Sequence, residues 1–391
     1  MTSEHFLGSV NWDFPVPIRY GPGRLAEVSA LCAGAGCHRP LIVTDRATAR
    51  LPFVETLRGH LAAAGLAHGT FADVSPNPTD VEVVAGKTFY LAGGYDSIIA
   101  LGGGSGMDAG KAISLVLNSA RDLWDFDYNL TSPAELGKAD FVPLLCVPTT
   151  AGTGAETEST AMITDTKRGI KGCVWHPAQN PFAALLDPEL TIGLPRNLTA
   201  WTGCDALTHA IEAYCVPSFH PMCDGIALQA LGMIYRALPQ ALDDPTSIPA
   251  RGAMLTGSCL AGVAFLKGLG MVHAISHMVG AEFDTQHGLT NAVLLPAVLR
   301  FNAPAIGPKV VPMCQAMGLD GTDFETFYWA VCDLLDQCGI PRSLAEIGVT
   351  ADRIDSIAAK AMTDTAAGTN PRPFSLEEVT VVIRAALTHA R

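Results

Sequence analysis

The eleven cysteines of this 391-residue chain include no CxxC pair. There is no excess of basic residues, and the most apolar runs read as too short for a membrane span. Cys32, Cys146, Cys173 and Cys259 stand in apolar or small-residue surroundings, where a reduced thiol behaves as a small hydrophobe. Free thiols and a cytoplasmic location are therefore expected. Acidic residues outnumber basic ones 38 to 25, for a formal net charge of -13. That balance argues against a general nucleic-acid binder, because phosphate contact needs a basic field. A local basic pocket for a cofactor phosphate remains compatible with it. The opening stretch MTSEHFLGSVNWDFPVPIRY has no basic region followed by an apolar core, so no signal peptide is expected. FVPLLCVPTT (141–150) is too short to span a bilayer. Neither a nucleic acid nor a membrane is an expected partner.

The length favours two domains. In the first half, short β-rich runs alternate with helical ones. RPLIVTD (39–45), HGTFADV (68–74), DSIIALGGG (96–104) and FVPLLCVPTT (141–150) read as strands. Residues 49–66, 81–91 and 108–117 read as helices. This alternation predicts a parallel α/β unit, with FAALLDPEL (182–190) returning as an edge strand. From about Leu194 the pattern becomes long, apolar and helical in period, as in LTAWTGCDALTHAIEAY and CDGIALQALGMIYRALPQAL. Near the end, Ser375 stands three before Glu378, a capping-box spacing. The expected division is an α/β domain over 1–190 and an all-helical domain over 191–391.

Two stretches suit phosphate. LGGGSGMDAGK (101–111) follows a strand and opens a helix, so backbone N–H groups freed of Cβ crowding can hold a pyrophosphate at the helix N-terminus. It is neither GxGxxG nor a complete P-loop, and alone it is weak. PTTAGTGAE (148–156) also follows a strand and brings the hydroxyls of Thr149, Thr150 and Thr153. Two such loops at neighbouring strand ends strengthen one another, since ligands of parallel sheets bind beyond the carboxyl ends of the strands. Asp45 ends the first strand. It can cap the helix that follows, or accept hydrogen bonds from an adenosine ribose and repel a 2′-phosphate, favouring NAD(H) over NADP(H).

Asp205 and His209 lie four apart, on one face of a helix. His273, His277 and His287 follow in GMVHAISHMVGAEFDTQHG. A carboxylate joined by imidazoles from a second segment makes a divalent transition-metal site chemically sensible.

With these segments the chain resembles the iron-containing, metal-dependent alcohol dehydrogenase family. The resemblance extends over GPG (21–23), VTD (43–45), SPNPT (75–79), GGGSGMDAGK, PTTAGTGAE, ITD (163–165), LLDPEL, DALTHAIEAY, the long histidine segment, GIP (339–341) and NPRP (370–373). It implies a Rossmann-like dinucleotide-binding domain joined to a helical metal-binding domain, as in dehydroquinate synthase, with the site between them. It further implies NAD(H), one divalent metal (iron first, zinc second) and alcohol–aldehyde interconversion. Asp205, His209, His273 and His287 match the family's metal ligands. His277 matches a histidine near nicotinamide and substrate. Gly102, Gly103, Gly104, Ser105 and Asp108 in the first loop, Thr149, Thr150, Thr153 and Lys171 match the cofactor side. The assembly expected is a homo-oligomer, a dimer.

Two departures from the family pattern bear on substrate. AFLKGLG (264–270) is one residue shorter than the usual run and carries Lys267 where a small or amide side chain is expected. Glu156-Thr157-Glu158 stands where the family commonly has a small residue before the substrate region. Lys267 either faces the cleft, where it can pair with an anionic substrate group, or merely reaches solvent past a helix start. His277, four after His273, is expected to relay the alcohol proton. The leading reading is an NAD(H)- and metal-dependent dehydrogenase of a small primary alcohol. A reductase of a small anionic aldehyde or keto acid is the alternative within the family. A dehydroquinate-synthase-like lyase or cyclase needs more basic residues than this cleft offers. A non-catalytic binding protein would not keep the four ligand positions.

Overall fold

The computed structural model describes residues 16–132, 137 and 140–388. Most of the N-terminal stretch read for a leader lies outside them. A six-stranded, all-parallel sheet forms the first half, in the spatial order β1-β8-β5-β4-β2-β3. Its strands are β1 (Ile18–Tyr20), β2 (Pro40–Val43), β3 (Gly69–Phe71), β4 (Ser97–Gly102), β5 (Leu144–Pro148) and β8 (Ala183–Leu186). PLIV, SIIALG, LLCVP and AALL are buried throughout, because helices cover both faces and no strand side is left to water. Successive residues serve opposite layers: Leu41, Val43 and Ile98 pack into one core, Ile42, Ile99 and Leu145 into the other. Among the described residues, α1 (Val28–Gly34), α2 (Pro52–Ala63), α3 (Asp80–Gly93) and α4 (Gly104–Leu117) connect these strands.

Three features depart from the sequence expectation. The strand of FAALLDPEL is interior, since β1 pairs along its free side from Ile18↔Ala184 to Tyr20↔Leu186. A three-residue strand carries too little pattern to be read beforehand. A hairpin, β6 (Thr160–Asp165) and β7 (Ile170–Trp175), stands apart as a two-stranded antiparallel sheet; burial alternates along β6, but TAMITD carries no matching apolar–polar alternation that would mark it in the sequence. Finally, α4 begins at Gly104 rather than Asp108, so the glycines form its first turn.

The second half is helical: α5 (Arg196–Cys215), α6 (Pro221–Asp243), α7 (Ile248–Ala264), α8 (Met271–Phe283), α9 (His287–Met317), α10 (Phe324–Gln337), α11 (Ile354–Ala361) and α12 (Leu376–Thr388). They share one apolar core. The α12 capping box is present: Ser375 N–H donates to Glu378 Oε2 at 2.9 Å, and Glu378 N–H to Ser375 Oγ at 3.2 Å. The 31-residue α9 runs through Pro296, Pro304, Pro308 and Pro312. Proline ordinarily interrupts a helix, which hid this element in the sequence.

Candidate active site

The glycine turn places backbone N–H groups at the mouth of α4. Gly102 sits at φ 137, where side chains are strained, and Gly103 is the helix N-cap without a side chain of its own. A Cβ on Gly104 would meet Thr153 Cγ2 at 2.8 Å, so the second loop lies directly against the first. Thr149 N–H donates to Gly102 O at 2.9 Å. The fully buried Lys111 fastens the two loops: its Nζ donates to Ala155 O at 2.8 Å and lies 3.4 Å from Asp108 Oδ1. Gly103, Gly104, Ser105, Asp108, Thr149, Thr150 and Thr153 all line one cleft; Gly102 is not part of its lining.

Asp45 lines the same cleft and is held rigidly. Its Oδ1 accepts from Ala47 N–H and Thr48 N–H, both at 2.9 Å, and its Oδ2 from Thr48 Oγ1 at 2.6 Å. It thus braces the 3₁₀ turn at Thr48–Arg50 rather than capping α2, which starts at Pro52. Lys171 on β7 also lines the cleft, its Nζ 3.4 Å from Asn77 Oδ1, and burial holds its ammonium below the usual range.

At the other side of the cleft, Asp205 and His209 of α5, His273 of α8 and His287 of α9 present ligand atoms that all lie within 4.8 Å of one another. From Asp205 Oδ1 the distances to Nε2 of His209, His273 and His287 are 3.8, 3.9 and 3.7 Å. Each imidazole has its Nδ1 turned outward: His209 to Gly152 O at 3.3 Å, His273 to Glu212 Oε2 at 2.6 Å, His287 to Ser276 Oγ at 3.5 Å. Protons on Nδ1 leave three Nε2 lone pairs aimed inward. Burial pushes His209 down to about 4 and His273 to about 3, and lowers His287 well below its ordinary value. Neutral imidazoles and one carboxylate with converging lone pairs are the donor set a divalent transition metal takes. Asn291, one turn beyond His287, donates through Nδ2 to Asp205 Oδ1 at 2.7 Å.

His277 also lines the cleft. Its Nδ1 lies 2.9 Å from Asp364 Oδ2, a partner 87 residues away. Asp364, Glu212 and Asn291 were not picked out in the sequence. Glu212 stood in plain sight within DALTHAIEAY, seven after Asp205.

Lys267 departs from the expectation. Its side chain is fully buried, and the ammonium is bonded to Asp224 in the first turn of α6 and lies 3.4 Å from Tyr214 O. Only the rest of the residue reaches the cleft wall. A buried ammonium needs a carboxylate, and Asp224 supplies it from inside the helical domain. Lys267 therefore presents no charge to a substrate. Of the other histidines, His176 bonds Gly137 O at 3.1 Å and His220 accepts from Cys223 N–H at 3.2 Å, both outside the quartet. His5 and His389 lie outside the described residues.

A cleft with a glycine-rich helix start on one side and a three-histidine, one-carboxylate cluster on the other has the groups that a metal-assisted, dinucleotide-using oxidoreductase needs. Comparison with known proteins agrees. The family description "Iron-containing alcohol dehydrogenase" matches residues 15–188, and "Fe-containing alcohol dehydrogenase family, C-terminal" matches 199–387. The chain belongs to the iron-containing alcohol dehydrogenase family. It is 35% identical to the NAD-dependent methanol dehydrogenase of Bacillus methanolicus, over 96% of this chain and 100% of the relative. It is 36% identical to the 4-hydroxybutyrate dehydrogenase of Cupriavidus necator, over 96% and 97%. The crystal structure of a 1,3-propanediol oxidoreductase superposes with a TM-score of 0.91 at 34% identity, over 97% of this chain and 100% of that one. The chain is an oxidoreductase of the alcohol dehydrogenase and aldehyde reductase class.

Proposed function

We propose that this enzyme interconverts a small primary alcohol and its aldehyde by hydride transfer with NAD(H), assisted by one divalent metal, iron first. The observation that carries the reading is the three inward-facing Nε2 atoms and Asp205 Oδ1, opening on the same cleft as the glycine cradle. Asp205, His209, His273 and His287 would hold the metal, which supplies Lewis acidity toward a substrate oxygen. A nicotinamide cofactor held at the glycine turn would supply the hydride chemistry.

The chain's own residues do the rest. The N–H groups of Gly103, Gly104 and Ser105 and the hydroxyls of Thr149, Thr150 and Thr153 bind the pyrophosphate. Asp45 accepts from the adenosine ribose and repels a 2′-phosphate, and Lys171 contributes a cation on the cofactor side. His277, held at Nδ1 by Asp364, moves the alcohol proton through Nε2. With Lys267 paired to Asp224, a neutral substrate is favoured over an anionic one. All eleven cysteines are free thiols, which supports a cytoplasmic enzyme.

The test is an aldehyde panel, neutral and carboxylated at matched size, with NADH and NADPH on the iron- or zinc-loaded enzyme. Short neutral aldehydes with NADH are expected to give the highest kcat/KM, and Asp45→Gly is expected to narrow the NADH advantage. A native preference for NADPH would overturn the role given to Asp45.

A further inference from the structure

The N-terminus of α8, the helix that carries His273 and His277, has no cap of its own. Its N-cap is Gly270, without a side chain, and the run before it is GLG. Two orphan N–H groups are satisfied from elsewhere in the chain. Met271 N–H donates to Asn370 Oδ1 at 3.0 Å, and Val272 N–H to Glu212 Oε1 at 2.8 Å. The other oxygen of Glu212 sits 2.6 Å from Nδ1 of His273. A Cβ on Gly270 would come within 2.8 Å of both Glu212 Oε1 and Asn370 Oδ1, so the glycine is what lets the two remote side chains reach the helix end.

Glu212 belongs to α5, one turn beyond His209 and two beyond Asp205. One buried carboxylate thus grips both the backbone start of α8 and the imidazole on its first turn. A negative charge is well placed at a helix N-terminus, and a carboxylate behind a histidine fixes the tautomer that leaves Nε2 unprotonated.

We propose that Glu212 is the positioning residue of the metal centre: it holds His273 as the Nδ1–H tautomer, with its Nε2 lone pair facing into the quartet, where Asn291 Nδ2 lies 3.0 Å away, while locking α8 to α5. This rests on reading the quartet as a metal site. The geometry makes a sharp statement about glutamine. In Glu212→Gln, the amide oxygen is claimed by Val272 N–H, so the amide NH2 faces Nδ1 of His273. That favours the opposite tautomer, with a proton on Nε2 where the lone pair should be.

The experiment uses the full chain, stripped with chelator and titrated with Co²⁺ alone. The imidazole tautomer of His273 is read by ¹⁵N NMR in the metal-free form. Asn370→Ala serves as the control, since it weakens the same helix end without touching the imidazole. For Glu212→Gln we expect the His273 proton on Nε2, Co²⁺ affinity lower by about 10- to 100-fold and an altered visible Co²⁺ spectrum. Asn370→Ala is expected to lose thermal stability yet keep the native tautomer and Co²⁺ spectrum. Native tautomer and native affinity in Glu212→Gln would overturn the proposal, as would equal loss of affinity in both variants. Failure of the unmodified chain to take up one Co²⁺ would instead overturn the metal reading beneath it.

Discussion

His277 Nδ1 and Asp364 Oδ2 are 2.9 Å apart in a buried pair, which leaves Nε2 as the nitrogen available to the cleft that His277 lines. A carboxylate partner of this kind holds an imidazole in one orientation, as a proton-transfer group requires. His277→Ala is expected to keep its metal while kcat/KM falls by roughly 10²-fold or more. Asp364→Asn is expected to fall by about tenfold, because the ring remains but loses its fixed tautomer. Metal analysis and steady-state kinetics check both. An unchanged rate in His277→Ala would leave this side chain only a packing role.

The ion pair between the buried Lys267 and the partly exposed Asp224 has a consequence for substrate choice. Lys267→Met removes an ammonium that never faced the substrate. Its loss is expected to cost stability on the order of 1–3 kcal/mol, and rates with neutral and carboxylated aldehydes of equal size should change together. Denaturant melts and paired kinetics read the two effects. A loss confined to the carboxylated aldehyde would show that the ammonium does reach the cleft.

Glu156 is buried, its Oε1 has no hydrogen-bond partner, and burial pushes its carboxyl up to about 7. The folded chain therefore favours the protonated form. The stability this gives is complete below the ordinary carboxylate value of 4.5 and is lost as pH rises from there to about 7. Above that window a buried charge remains. Glu156→Gln, which resembles the protonated side chain, is expected to raise the Tm by a few degrees at pH 8 and to match the unmodified protein near pH 5. A Tm difference that does not vary with pH would contradict the buried-charge account.

Much of the site could be read from the chain before its structure. The i,i+4 pair of Asp205 and His209 and the cluster of histidines after GLG announce their chemistry by spacing, and the buried strands PLIV and SIIALG by unbroken apolarity. What could not be read depends on partners brought together by packing. Glu212 meets His273 across 61 residues and Asp364 meets His277 across 87. No local period reports such contacts. The pairing of Lys267 is hidden for the same reason, since Asp224 lies 43 residues earlier and only the packing of α6 brings it in. The four prolines of α9 concealed a helix whose first residue is His287.

The most direct measurement is metal titration of the chelator-stripped enzyme and of His273→Ala, with bound ion per chain and NADH-dependent aldehyde reduction followed together. We expect the unmodified chain to bind one divalent ion and to recover activity in proportion to occupancy. His273→Ala is expected to bind sharply less and to stay inactive. Full activity in the stripped enzyme, or full metal in His273→Ala, would contradict the account.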